Sequence, residues 1–307
     1  MRLKYLFLFL ILGPFKFTAS AQKEFSIQGI PIGDSLMESG ELERAIVEYR
    51  NEYMNDIHQP LAAYNLAAAF SMNRQIDSAF KYLFLHIEID TTIKACTDPY
   101  FLPLKKDKRW PEFEDKAIAE VLMARPNAIK DIPLAKKYWE MMALDQAYYY
   151  EIDIIEKKIG MNSPVEAALW EEKEKIIEKN VFTLDSIVNL KGWPKISELG
   201  HYAGSAAFLI VQHGDLERQK KYLPLIEKLC QDTEAAWSDY ALMYDRIQVS
   251  ENQPQLYGSQ LHYNDLTKQY DLYPIEDEKN VDKRRAAMDL EPLEDYVSQW
   301  GIIYVPK

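Results

Sequence analysis

Cysteine is nearly missing from this sequence of 307 residues, where Cys96 and Cys230 are the only two. They are far apart and expected in different domains, as separate buried thiols rather than a disulfide, even in an exported chain. Neither Cys-x-x-Cys nor His-Glu-x-x-His occurs. His201 and His213, twelve apart, would sit about 18 Å apart along one helix, so no metal site is expected. Basic residues are also short, at 36 against 48 acidic ones, for a net charge of −12. That balance argues against nucleic acid or an anionic membrane as partner. No run approaches the roughly 18 consecutive apolar residues that span a bilayer, so no membrane span is expected. No Ser, Cys or Thr sits in a recognisable nucleophile turn, and no cofactor is implied.

What is present begins with Met1-Arg2-Leu3-Lys4, the apolar run Tyr5 to Leu12, and Ala19-Ser20-Ala21. This is the pattern of a secretory signal peptide over residues 1–21, with cleavage after Ala21. The expected product starts at Gln22 and is periplasmic or extracellular. Loss of Arg2, Lys4 and Lys16 with the leader deepens the negative charge. No Cys follows the leader to suggest a lipid anchor. The remaining length suffices for two domains with their own cores.

Placing Gly40-Glu-Leu-Glu-Arg-Ala45-Ile46 on Arg74-Gln-Ile-Asp-Ser-Ala79-Phe80 superposes Ala45 on Ala79 and Tyr49 on Leu83 at a spacing of 34. That is the tetratricopeptide period. Residues 22–125 therefore resemble tetratricopeptide repeats, with a Pro-punctuated loop around Asp98 to Pro111 and a capping helix from about Glu112 to Ala124. The first copy is imperfect, its leading helix around Ile27 to Ser39 containing Pro31. The groove of such repeats suits a protein or peptide partner. The other reading open here is that the repeats only pack on the next domain.

Residues 126–307 read as a helical domain. A helix is expected from Leu134 to Ile159, stopping at Gly160. Ser163-Pro164-Val165-Glu166 is a strong helix start, with an N-cap, a Pro at the first position and a Glu at the third. That helix, or it and a following one, runs to about Leu190 with its charged face Glu171 to Lys175 in solvent. Ser197 opens a small-residue apolar helix ending near His213-Gly214, and Asp215 caps the next. Pro224 is expected to kink or break that next helix. Another helix spans about Thr233 to Val249. Residues 255–275 alternate around Asn264-Asp265 as a β-hairpin, and two short helices follow. The fold class expected is mainly α: a short tetratricopeptide-like helical repeat region, then an α-helical domain with one C-terminal β-hairpin.

From Ile132 to Ile303 the chain resembles a bacterial family catalogued as domain of unknown function 6624. The pieces that carry the resemblance are Asp145-Gln146, Gly192-Trp193-Pro194, Gly200, Gln212-His213 with Asp215 and Gln219, and Leu223-Pro224-Leu225. Further on come Asp245-Arg246, Gln255 with Tyr257-Gly258 and Gln260, and Arg284-Arg285 followed by Pro292-Leu293. The chain departs from the family pattern in two places. Tyr148, Tyr149 and Tyr150 stand where the family has an Arg, and Gly214 stands where it has an Ala. The resemblance implies no reaction.

Among these residues His213 is the natural proton carrier near neutral pH, with Asp245 or Asp215 to orient its ring. Asp245 is accordingly the second candidate catalytic residue. Arg246 and Arg284, or the adjacent Arg285, would hold a carboxylate or phosphate. Gln212, Gln260 and Tyr257 would supply neutral donors and acceptors, and Gly258 would let a ligand reach the backbone. Each has a structural alternative: a helix end favours His213 by its dipole alone, and Asp245-Arg246 suits a buried pair. Two functions follow. The first is an exported module binding a protein in its repeats and a small anionic or polar ligand in the C-terminal domain. The second is a periplasmic hydrolase or lyase with His213 as general acid or base.

Overall fold

The structure, a computed structural model, describes residues 32–264, 266–267 and 269–305. The leader read at residues 1–21, and the start of the first repeat helix, lie outside the described residues. The fold is mainly α with a single two-stranded antiparallel hairpin among the described residues. No described helix is long and apolar enough to cross a membrane. The chain divides into two compact units, one ending at His213 and one starting at Gly214.

The first unit opens with α1 (Ile32–Glu38), α2 (Leu42–Asn55), α3 (Pro60–Met72) and α4 (Ile76–Ile89), each packed on the next. Small residues set this seam. Ala45 of α2, Ala63, Ala67 and Ala69 of α3 and Ala79 of α4 are fully buried, and Leu66, Phe70 and Leu83 fill the space between backbones. The Pro-punctuated stretch is more ordered than a loop. After α5 (Lys94–Thr97), Asp98 caps a 3-10 helix over Pro99–Leu104 by accepting the Tyr100 N–H at 2.8 Å, and α6 (Trp110–Ala124) follows.

The unit continues through α7 (Ile132–Asp145), α8 (Tyr149–Ile159), α9 (Pro164–Lys191), α10 (Ile196–Leu199) and α11 (His201–His213). Within this unit α5 packs against α7. Ser163 does cap α9, accepting from Glu166 N–H at 3.2 Å. The single helix expected over Leu134 to Ile159 is instead broken between Asp145 and Tyr149, with Tyr148 left-handed at φ 70°. The charged face read on α9 is not uniformly solvated either, because Lys173 is fully buried.

In the second unit α12 (Leu216–Gln231) pairs with α13 (Trp237–Ser250). Asp215 caps α12 as expected, accepting from Arg218 N–H at 2.9 Å. The helix runs on through Pro224 rather than ending there. The hairpin, β1 (Leu261–Asn264) with β2 (Gln269–Leu272), sets Leu261 opposite Leu272 and Tyr263 opposite Tyr270. It is shorter than the alternation suggested, because the amides of Leu256, Tyr257 and Ser259 bind Asp245 instead of a second strand. α14 (Val281–Ala287) and α15 (Leu293–Ser298) close the unit, with Leu261, Val281, Leu293, Val297 and Tyr304 as their core. Cys96 and Cys230, one in each unit, are free and buried, and burial pushes both thiols up to about 12.

Candidate functional site

In the first unit α7, α9 and α11 pack mutually, and the C-terminal ends of α7 and α11 carry the polar residues. Ala203, Ala206 and Ala207 of α11 are fully buried and allow the close approach. The last carbonyls of any helix lack intrahelical donors. Here α9 supplies them. Asn180 donates Nδ2–H to the Met141 carbonyl at 3.0 Å, and Lys173 donates from Nζ to the carbonyls of Asp145 and Ala147 at 2.6 and 3.1 Å. Lys173 thus stabilises the break that leaves Asp145 at a helix end.

The Asp145 side chain faces His213. His213 Nδ1 lies 2.9 Å from Asp145 Oδ2 and 3.0 Å from Oδ1, and Gln146 Nε2 donates to Oδ2 at 2.9 Å. The His213 side chain is 6% exposed and that of Asp145 is 1% exposed. Burial by itself raises the Asp145 carboxyl, but the charge and hydrogen bond of His213, with Lys173 and Gln146, hold it below the usual carboxylate range. Burial pushes the Lys173 ammonium down to about 8, against the pull of Asp145. Its Nζ sits 3.4 Å from the centroid of the Tyr149 ring, whose centroid is 6.1 Å from that of His213. Tyr149 therefore places an aromatic face beside the Asp145–His213 pair.

The carboxylate fixes which ring nitrogen carries the proton. Nδ1–H donates to Asp145, so Nε2 holds the lone pair while the ring is neutral. His213 Nε2 is buried and has no hydrogen-bond partner. Such a group costs about 1–3 kcal/mol, and its persistence calls for a reason. The chemistry available is acceptance of a proton at Nε2, its return to a leaving group, and retention of charge on the imidazolium by Asp145.

The remaining sequence candidates divide by unit. Gln212 precedes His213 on α11 and is fully buried. Asp245, Arg246, Tyr257, Gln260 and Arg284 belong to the second unit. There Asp245 is fully buried and organises a loop. Its carboxylate accepts from the amides of Leu256, Tyr257 and Ser259 at 2.7 to 3.1 Å, and from Ser259 Oγ at 2.9 Å. Burial raises its carboxyl in spite of these donors.

The same loop is held through its carbonyls. Arg284 donates to Leu256 O at 2.8 Å and to the carbonyls of Glu276 and Asp277, and Arg285 donates to Tyr257 O at 2.7 Å. Arg246 is half-buried on α13. Tyr257 is buried with its ring edge-on to Tyr244 at 6.1 Å. Gln260 donates its backbone N–H to Gln255 Oε1 and its Nε2–H to Ser259 Oγ, and its own Oε1 is buried without a partner. Gly258, read as room for a ligand, has φ 69°, and a Cβ there would lie 2.8 Å from Leu293 Cδ1, so core side chains fill that space.

Sequence reasoning missed the pairing of His213 with Asp145 and the burial of Lys173. Asp145-Gln146 was already among the quoted family pieces, and that was the available signal. Among the described residues no group of three or more His, Cys, Asp or Glu is placed to hold a metal ion. The model of a family of unknown function, DUF6624, matches residues 134–305, from within α7 to just past α15. No curated protein and no solved structure matches the chain.

Proposed function

We propose, for a chain that belongs to the family of unknown function DUF6624, that His213 and Asp145 form a general acid–base pair acting on a small polar substrate. The reaction class is that of a hydrolase or lyase. One observation carries this reading: the Asp145 carboxylate lies 2.9 Å from His213 Nδ1 while Nε2 is buried and unbonded. A histidine kept only for the helix dipole needs no buried carboxylate on one nitrogen and gains nothing from an unmatched acceptor on the other. Asp145 acts as the positioning residue, Lys173 keeps Asp145 at the helix end, and Tyr149 shields the ring from one side.

Multiple-bond 1H–15N NMR of the full chain tests the pair. The expected spectrum shows His213 as the Nδ1–H tautomer, with an unprotonated Nε2 that shifts when a panel of esters, phosphate esters, amides and glycosides is added. Asp145→Asn should then mix the tautomers. An Nε2–H tautomer in the wild type, or turnover of a panel compound that survives His213→Gln, would overturn the assignment.

A binding role for the leading helices stands beside the catalytic one. It is supported by the 34-residue spacing of Ala45 and Ala79, both fully buried in helix seams. Tetratricopeptide-like hairpins of this kind use their groove for a peptide or a partner's helix. The leader-like residues 1–21 support export, which places this activity in the periplasm or outside the cell.

A further inference from the structure

A cavity of about 530 Å³ lies within the first unit, away from the Asp145–His213 pair. Its walls are Thr92 and Ile93, Val121 of α6, the turn from Arg125 to Ile129, Trp139 of α7, and residues from Ile196 to Tyr202. Lys130 N–H donates to Glu198 O at 2.7 Å and ties the turn to α10, so this wall is fixed. The volume falls in the range of about 300–1,000 Å³ usual for small-molecule sites. His201, on the wall, is the first residue of α11, whose last residue is His213. Twelve residues of helix separate the two positions by about 18 Å.

Charge and hydrogen bonding define what fits. The protein carries a net charge of −12, yet no carboxylate side chain lines this cavity. The charged side chain on its wall is Arg125, with His201 beside it in the lining. Arg125 is exposed, and its guanidinium makes no hydrogen bond or ion pair among the described residues. An arginine left unpaired among so many carboxylates is available to an incoming anion. Trp139, 1% exposed, adds an aromatic wall to the cavity. The first turn of α11 adds the positive end of a 13-residue helix. Ile93, Val121, Ile129 and Leu199 give the wall a buried apolar part, beside the neutral polar residues Thr92, Asn127, Ser197 and Tyr202.

We infer that this cavity binds a small organic anion, with its apolar body against Ile93, Val121, Ile129 and Trp139 and its carboxylate or equivalent head on Arg125. The site is separate from His213 and does not depend on the acid–base reading. It joins residues ahead of the family match, Thr92 to Ile129, to α7, α10 and α11 inside it. The segment before residue 134 thereby completes a pocket that the matched residues alone do not enclose.

Calorimetry of the full chain with sodium octanoate, and with octan-1-ol as its uncharged counterpart, tests this. Octanoate should bind the wild type one to one with a dissociation constant below about 1 mM. Arg125→Gln changes an exposed side chain and should weaken octanoate about tenfold while leaving octanol unchanged. Ala128→Phe places a ring from the turn into the space and should remove binding of both. Absence of saturable octanoate binding to the wild type overturns the inference. So does octanoate binding that either variant leaves unchanged.

Discussion

Lys173 and Asp145 occupy one buried corner with opposite demands, and pH separates them. The Asp145 carboxyl is held below its ordinary value, so its contribution to stability is present above the unfolded carboxylate range, near pH 4. It is lost as pH falls through the lower folded value. Lys173 has a folded value of about 8, below the roughly 10.4 of an unfolded lysine. Between those values the unfolded chain binds more protons than the folded one, so stability rises with pH across that window. Relative to Lys173→Met, the wild type should gain up to about 3 kcal/mol from pH 7.5 to pH 10.5, read from urea unfolding at each pH. A flat difference would mean that Lys173 titrates as an exposed lysine does. At neutral pH the same substitution leaves the Asp145 and Ala147 carbonyls without their donor. It should cost about 2 kcal/mol despite removing a buried charge.

Helices that begin with local signals were legible; those that end through distant contacts were not. The start of α9 is written in Ser163-Pro164-Val165-Glu166, and Ser163 accepts the Glu166 amide as that pattern requires. The break after α7 is supported from Lys173, 28 residues from Asp145, and no local pattern near Asp145 announces it. Pro224 shows the converse, a strong local breaker overridden by the packing of α12 on α13. Because that proline is exposed and removes one helical bond, Pro224→Ala should raise the unfolding free energy by about 1–3 kcal/mol in chemical denaturation. In the hairpin region, Gly258→Ala should cost about 2–3 kcal/mol. The new methyl meets Leu293 at 2.8 Å in a left-handed backbone. Denaturation that is indifferent to this change would show that α15 yields to the methyl.

At the scale of the molecule, the acidic balance and the family match act on different parts. The net charge of −12 belongs to the whole chain. The match covers residues 134–305 and crosses from the first compact unit into the second. The leader reading gives a direct prediction: expression in a secreting bacterial host should yield a product whose N-terminal sequence begins at Gln22. A product that retains Met1 would remove the leader reading. Cys96 and Cys230 should remain unreactive toward Ellman's reagent in the native protein and both react in denaturant, because burial disfavours their thiolates.

By itself the sequence determined the helical class, the Ala45–Ala79 period, the caps at Ser163 and Asp215, the hairpin and the family. The caps and the hairpin rest on residues close in the chain, the period on a linear repeat, and the family on short pieces read in order along residues 134–305. It also singled out His213, whose type and place at a helix end are local facts. Only the tertiary structure decided which carboxylate meets that ring. Asp145, Asp215 and Asp245 are equivalent as residue types, and Asp145 stands 68 positions from His213. Helix packing across small residues on α11 brings Asp145 to Nδ1, while Asp245 is taken up by its own loop and Asp215 by its own helix. The distance between two helix ends depends on the volume of every side chain between them, and that sum is not contained in any short stretch of chain.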